Sequence, residues 1–108
     1  MTGQMHSWLQ RISDQIVYLT DPDEIILFGS FASRKERSDS DIDLVVVVPL
    51  LHNRQRMARE IGSFIAEFGV HSDVILLNRS ELTAAMADGK SFLSNALKKS
   101  IIIYKKLA

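Results

Sequence analysis

The 108-residue sequence contains no cysteine, and it has only two prolines, five glycines and one tryptophan. Disulfides and thiolate metal sites are therefore excluded within this chain, which fits a reducing compartment, so we expect a cytoplasmic location. The 13 Lys and Arg residues balance 13 Asp and Glu residues, so the charge gives no sign of direct nucleic-acid or membrane binding. No apolar run is long enough to cross a bilayer, and the N-terminus lacks a signal-peptide layout.

The composition and the apolar periodicity are those of an ordinary globular protein. Hydrophobic residues make up 46% and charged residues 24%. A chain of this length supports one core, so we predict a single domain over residues 1–108. The patterns predict helices over 5–19, 52–68, 80–86 (opened by Ser80) and 91–99, and strands over 25–28, 44–48, 70–77 and 101–104. This order predicts an α/β (α+β) chain with a mixed β-sheet of about four strands covered by helices.

One segment, residues 29–43, joins the first two predicted strands and carries the most informative polar residues. Gly29 and Ser30 end the first apolar run, ten residues follow, and Asp41-Ile42-Asp43 opens the next run. Residues two apart on a strand point to the same face, so Asp41 and Asp43 project together. Adjacent carboxylates repel each other, and a bound hard divalent cation such as magnesium or manganese usually offsets this repulsion.

The Gly-Ser half of this segment supplies chemistry that suits an anion. Gly29 lets the backbone turn sharply and leaves room for a ligand to approach the main chain. Ser30 can cap a short helical turn, which would present backbone N–H groups and a hydroxyl to a phosphate. A phosphate site at the Gly-Ser end of the segment and a metal site at its aspartate end together predict a nucleoside-triphosphate site. An EF-hand loop beginning at Asp39 is excluded, because Leu44 and Leu50 stand where glycine and glutamate are required.

The spacing Gly29-Ser30, ten residues, Asp41-x-Asp43 resembles the signature of the polymerase-beta-like nucleotidyltransferase superfamily. The short chain resembles its minimal nucleotidyltransferase (MNT) branch, the MntA-type antitoxins of HEPN/MNT toxin–antitoxin systems, which implies a minimal palm-like fold. Members use a third carboxylate on a later strand, and Asp73 is the one acid in residues 70–77. The resemblance implies nucleotide binding at Gly29 and Ser30, catalysis and metal binding at Asp41, Asp43 and Asp73, two Mg²⁺ ions as cofactors, and ATP as substrate.

The same resemblance implies a protein adenylyltransferase that acts as an antitoxin. Such a protein transfers AMP from ATP to a tyrosine of a partner HEPN ribonuclease toxin, so a hetero-oligomer with that toxin is expected. Larger members of the superfamily carry an extra helical domain beside the acceptor, and we expect these 108 residues to lack one. Two alternatives stay open: a small-molecule nucleotidyltransferase acting on an aminoglycoside-like acceptor, and a non-catalytic antitoxin that only binds its partner.

Overall fold

The computed structural model describes residues 7–29 and 41–107. In these residues the helices are α1 (Ser7–Thr20), α2 (Arg54–Ala66), α3 (Arg79–Ala87) and α4 (Phe92–Ala96), followed by a 3-10 helix (Leu97–Lys99), and the strands are β1 (Glu24–Phe28), β2 (Ile42–Val47), β3 (Ser72–Leu77) and β4 (Ile101–Lys105). The predicted order of helices and strands is confirmed. None of the helices described is both long and apolar enough to cross a membrane.

The four strands form one mixed sheet in the order β3-β2-β1-β4. Strand β1 pairs antiparallel with both β2 and β4, whereas β2 pairs parallel with β3. Strand β2 is central, and its run Leu44–Val47 is fully buried, as expected for a strand covered on both faces. The predicted mixed α+β architecture is therefore confirmed.

Strict alternation along β2 divides the core into two clusters, one on each face of the sheet. Ile42, Leu44 and Val46 pack with residues of α1 and α2. Val45 and Val47 belong to the other cluster, which is covered by α3, α4 and the 3-10 helix. Asp43 has the same parity as Val45, so its side chain projects from the face that carries α4 and the 3-10 helix.

Two predicted boundaries were wrong in informative ways. The second strand begins at Ile42, before Asp43 rather than after it, so Asp43 is a paired strand residue. Helix α3 begins at Arg79 and is capped by Asn78, not opened by Ser80. Asn78 Oδ1 accepts the Glu81 N–H at 2.8 Å, and a Glu81 carboxylate oxygen accepts the Asn78 N–H at 2.9 Å. Asn78 followed three residues later by Glu81 is a capping box, which satisfies two backbone donors at once.

Removing this cap should weaken the fold measurably. Asn78→Ala deletes the acceptor for the Glu81 N–H, and we expect a loss of about 1 kcal/mol in the free energy of unfolding. Urea unfolding should show a lower midpoint with an unchanged slope. Thr83→Ala, an exposed position inside α3, is the control and should leave stability unchanged or slightly higher, because alanine is the better helix former. Equal midpoints for the two variants would contradict the capping role.

Candidate active site

Asp43 and Asp73 lie side by side at the start of two neighbouring parallel strands. Each is the second residue of its strand, and the register of β2 and β3 pairs them directly. Side chains at paired positions of adjacent strands project from the same face about 4.8 Å apart. Asp41 immediately precedes β2 and is exposed, two residues from the partly buried Asp43. The structure thus brings the three predicted acids to one edge of the sheet.

The acids influence one another through their charge. The pKa of Asp43 is raised above its ordinary value, first by burial, then by the charges of Asp73 and Asp41, and then by a hydrogen bond with the Asp73 side chain. This edge of the sheet therefore concentrates negative charge, and a bound cation would lower the pKa of Asp43 again.

The chemistry of these side chains fits a hard divalent ion. All the donors are carboxylate oxygens, which magnesium prefers. Across residues 7–29 and 41–107, no three His, Cys, Asp or Glu side chains are already gathered as a metal-binding group. The fit therefore rests on the type of donor and on the raised pKa of Asp43, and metal binding by Asp41, Asp43 and Asp73 stays a prediction.

Gly29, which follows β1 directly, contacts this acidic edge. Its φ of +77° lies in the left-handed region that glycine adopts without strain. A Cβ at this position would overlap Asp43 Oδ2 and would lie 3.1 Å from Asp43 Cγ. The group that lies close to Gly29 is the Asp43 carboxylate, so the predicted approach of a ligand to Gly29 stays a prediction. Ser30 lies outside the described residues, so its predicted capping and phosphate contacts stay predictions.

Gly29 also lines a cleft that holds two lysines. The cleft has a volume of about 350 Å³ and is lined by Gly29, Asn95, Ala96, Lys98 and Lys99. It forms because β4 pairs with β1, with Ile101 opposite Leu27, so the residues just before β4 lie beside the end of β1. These lysines were not predicted to belong to the site, because the pairing of β4 with β1 is not visible in the local pattern. A larger cavity of about 580 Å³, beside α1 and α2, includes none of the predicted site residues.

A model of the nucleotidyltransferase domain matches residues 9–107 of the chain. The chain belongs to the nucleotidyltransferase domain family. The match includes every residue that the sequence predicted for the site, from Gly29 to Asp73. A comparison of this nucleotidyltransferase with curated protein sequences gives no match.

Three solved structures share the fold of this nucleotidyltransferase. A toxin–antitoxin complex with AMP-PNP has a TM-score of 0.61 at 19% identity, covering 90% of this chain and 73% of that one. A mutant MntA–HpeT toxin–antitoxin complex has a TM-score of 0.62 at 16% identity, with the same coverage. A tri-AMPylated Shewanella oneidensis HEPN toxin bound to an MNT antitoxin has a TM-score of 0.53 at 17% identity, covering 90% and 72%. The resemblance to the minimal nucleotidyltransferases is confirmed at the level of the fold.

Proposed function

We propose that this nucleotidyltransferase transfers AMP from ATP to a tyrosine hydroxyl of a HEPN-type toxin and thereby acts as an antitoxin. The observation that carries the proposal is the pairing of Asp43 with Asp73, with the Asp43 carboxylate directly against Gly29, in a chain of the nucleotidyltransferase family. In this reaction the hydroxyl oxygen bonds to the α-phosphorus of ATP, the bond to the β-phosphate oxygen breaks, and pyrophosphate leaves.

The acids of this chain would hold the metal and receive the proton. Asp43 is paired with Asp73, and Asp41 lies two residues before Asp43, so the three together could ligate two Mg²⁺ ions. Magnesium bound there would supply stabilisation of the negative charge on the attacking and leaving oxygens. Asp73 is exposed, whereas Asp43 is partly buried, so Asp73 is the carboxylate better placed to accept the proton of an incoming hydroxyl.

Gly29 and Ser30 would bind the phosphates of ATP. The absence of a side chain at Gly29 keeps the Asp43 carboxylate against the main chain at the end of β1. A nucleotide seated at Gly29 would therefore have its phosphates next to the ligands of the metal. The transfer needs this proximity, because the positioning of the reactants and the neutralisation of charge account for most of the rate enhancement in displacement at phosphorus.

The fold neighbours support a protein as the acceptor and ATP as the donor. One neighbouring toxin–antitoxin complex contains AMP-PNP, an analogue of ATP. In another, the HEPN toxin bound to the MNT antitoxin is tri-AMPylated. These findings concern the neighbours, and they make a HEPN-type toxin the first acceptor to test with this chain.

Release of pyrophosphate from ATP tests the proposal and separates it from its rivals. The purified protein is incubated with Mg²⁺ and ATP in three mixtures: with its HEPN-type partner, with a panel of hydroxylated small molecules that includes aminoglycosides, and with neither. We expect release only with the partner. Release with a small molecule alone would favour the small-molecule transferase. A partner that is neutralised without any release, by wild type and by the triple Asp→Asn variant at 41, 43 and 73 alike, would select the binding-only antitoxin.

A further inference from the structure

The cleft beside Gly29 carries positive charge to which the proposed reaction assigns no role. Gly29 contacts the Asp43 carboxylate and also lines the cleft that contains Lys98 and Lys99. We propose that Lys98 and Lys99 bind the terminal phosphates of the nucleotide. This inference rests on the proposed function, because it takes ATP to be the ligand at Gly29.

Packing fixes the backbone beneath the two lysines relative to β1. Leu97 and Ala96 pack against the core cluster that contains Phe28, the residue before Gly29. The Phe92 ring meets the Phe28 ring edge-on, with 6.5 Å between centroids. The Ser100 hydroxyl donates to the Leu97 carbonyl at 2.8 Å across the 3-10 turn. The backbone that carries the two lysine side chains is therefore held in place beside the end of β1.

The charges of the two lysines have no partner among the residues that the structure describes. Both side chains are exposed, and within that part of the chain neither makes a hydrogen bond or an ion pair. Lys106, in contrast, pairs with Asp21 at 3.1 Å. A polyphosphate that accepts hydrogen bonds from both lysines would give these two charges partners.

Gly29 lies between two groups of opposite charge, and this arrangement favours a triphosphate over a simple anion. The acids lie on the β2 and β3 side of Gly29, and the lysines precede β4, on its other side in the strand order. A chain of phosphates that crosses Gly29 would meet the metal ligands at one end and the lysines at the other. AMP has only one phosphate, so it cannot use both ends at once.

Nucleotide binding by lysine variants tests this assignment. The dissociation constants of AMP-PNP and of AMP are measured with Mg²⁺ for the wild type, for Lys98→Ala/Lys99→Ala, and for Lys90→Ala/Lys105→Ala. The control pair removes the same charge from exposed positions outside the cleft. We expect the cleft variant to bind AMP-PNP roughly tenfold more weakly and AMP unchanged, since it can no longer donate charge-assisted hydrogen bonds to the terminal phosphates. Lys98→Arg/Lys99→Arg should retain most of the affinity.

The outcomes separate this inference from the proposed function. If wild type binds AMP-PNP and the cleft variant binds it equally well, the lysine assignment is overturned while the proposed function stands. An equal loss for AMP-PNP and AMP, or an equal loss in the control pair, also overturns it. If wild type itself does not bind AMP-PNP in the presence of Mg²⁺, the proposed function fails, and the inference fails with it. Thermal melting of each variant verifies that it is folded.

Discussion

Asp43→Asn is expected to abolish AMP transfer and, at the same time, to raise the melting temperature of the metal-free protein. Transfer should fall because the proposed metal site loses one of its ligands, and metal-ion catalysis is worth several kcal/mol, or roughly a thousandfold in rate. Stability should rise because the substitution removes a carboxylate that is repelled by Asp73 and Asp41. Asp43 is only partly buried, so solvent screening limits the gain to about 1 kcal/mol or less, which is a few degrees in melting temperature.

The gain in stability should depend on pH in a defined direction. The folded-state pKa of Asp43 lies above its ordinary value of 3.8, so the folded protein binds this proton more tightly than the unfolded chain does. The stability associated with that proton is fully present below pH 3.8 and is lost as the pH rises through the folded-state pKa. The advantage of Asp43→Asn over wild type should therefore be absent at low pH and complete at neutral pH, as followed by thermal melting in metal-free buffers.

Magnesium and a second variant provide the controls. Magnesium should raise the melting temperature of wild type more than that of Asp43→Asn, because a ligand that binds the folded state stabilises it. Asp88→Asn changes an exposed acid in the turn after α3, whose charge does not contribute to the raised pKa of Asp43. It should leave both transfer and melting unchanged. Retained transfer in Asp43→Asn, or a lower melting temperature without metal, would contradict the assignment.

Gly29→Ala should impair both stability and transfer, and Gly69→Ala is its matched control. Both glycines have positive φ, +77° and +75°. An added Cβ overlaps Asp43 Oδ2 at Gly29 but meets nothing within 4 Å at Gly69. Gly69→Ala should therefore lower the free energy of unfolding by roughly 1–2 kcal/mol, because alanine is strained in the left-handed conformation. Gly29→Ala should lower the free energy of unfolding by about 1–3 kcal/mol more than Gly69→Ala does, because the added Cβ overlaps the Asp43 carboxylate.

The same substitution displaces the Asp43 carboxylate, so its effect on transfer should exceed its effect on stability. A displacement of about 1 Å in a reacting group can cost about a hundredfold, and we expect at least that for Gly29→Ala. Gly69→Ala should transfer AMP normally at a temperature where it is folded. In an Asp43→Ala background the overlap is absent, so Gly29→Ala should then cost no more stability than Gly69→Ala does. Equal unfolding free energies of Gly29→Ala and Gly69→Ala in the wild-type background would show that the Asp43 contact is unimportant.

Local patterns predicted the strands that position the candidate site residues. The apolar run after Asp43 and the glycine at the end of the run before it predict that Asp43 and Gly29 lie at neighbouring strand ends, which the structure confirms, although it is the Asp43 carboxylate and not a ligand that approaches Gly29. The strand types and the mixed sheet followed from periodicity and the order of elements. The capping box at Asn78 is also readable from its spacing to Glu81, and the prediction at Ser80 was wrong because Asn78 has the spacing that lets both side chains bond reciprocally.

Local sequence patterns do not predict which distant strands pair with each other. The register that sets Asp73 beside Asp43 joins strands about thirty residues apart in the chain. Only the family resemblance pointed to Asp73, because a single acid in an apolar run does not indicate its neighbour in space. The pairing of β4 with β1 brings Lys98 and Lys99 beside Gly29. The sequence shows only two lysines before a strand, and this pattern does not predict which strand β4 pairs with.

The most direct test of AMP transfer is the intact mass of the HEPN-type partner after incubation with this nucleotidyltransferase, ATP and Mg²⁺. We expect the partner to gain one or more AMP units with wild type, with the added mass mapping to a tyrosine, and to gain none with Asp43→Asn. A partner that is neutralised by wild type yet keeps its unmodified mass would contradict the transferase account and leave neutralisation by contact alone.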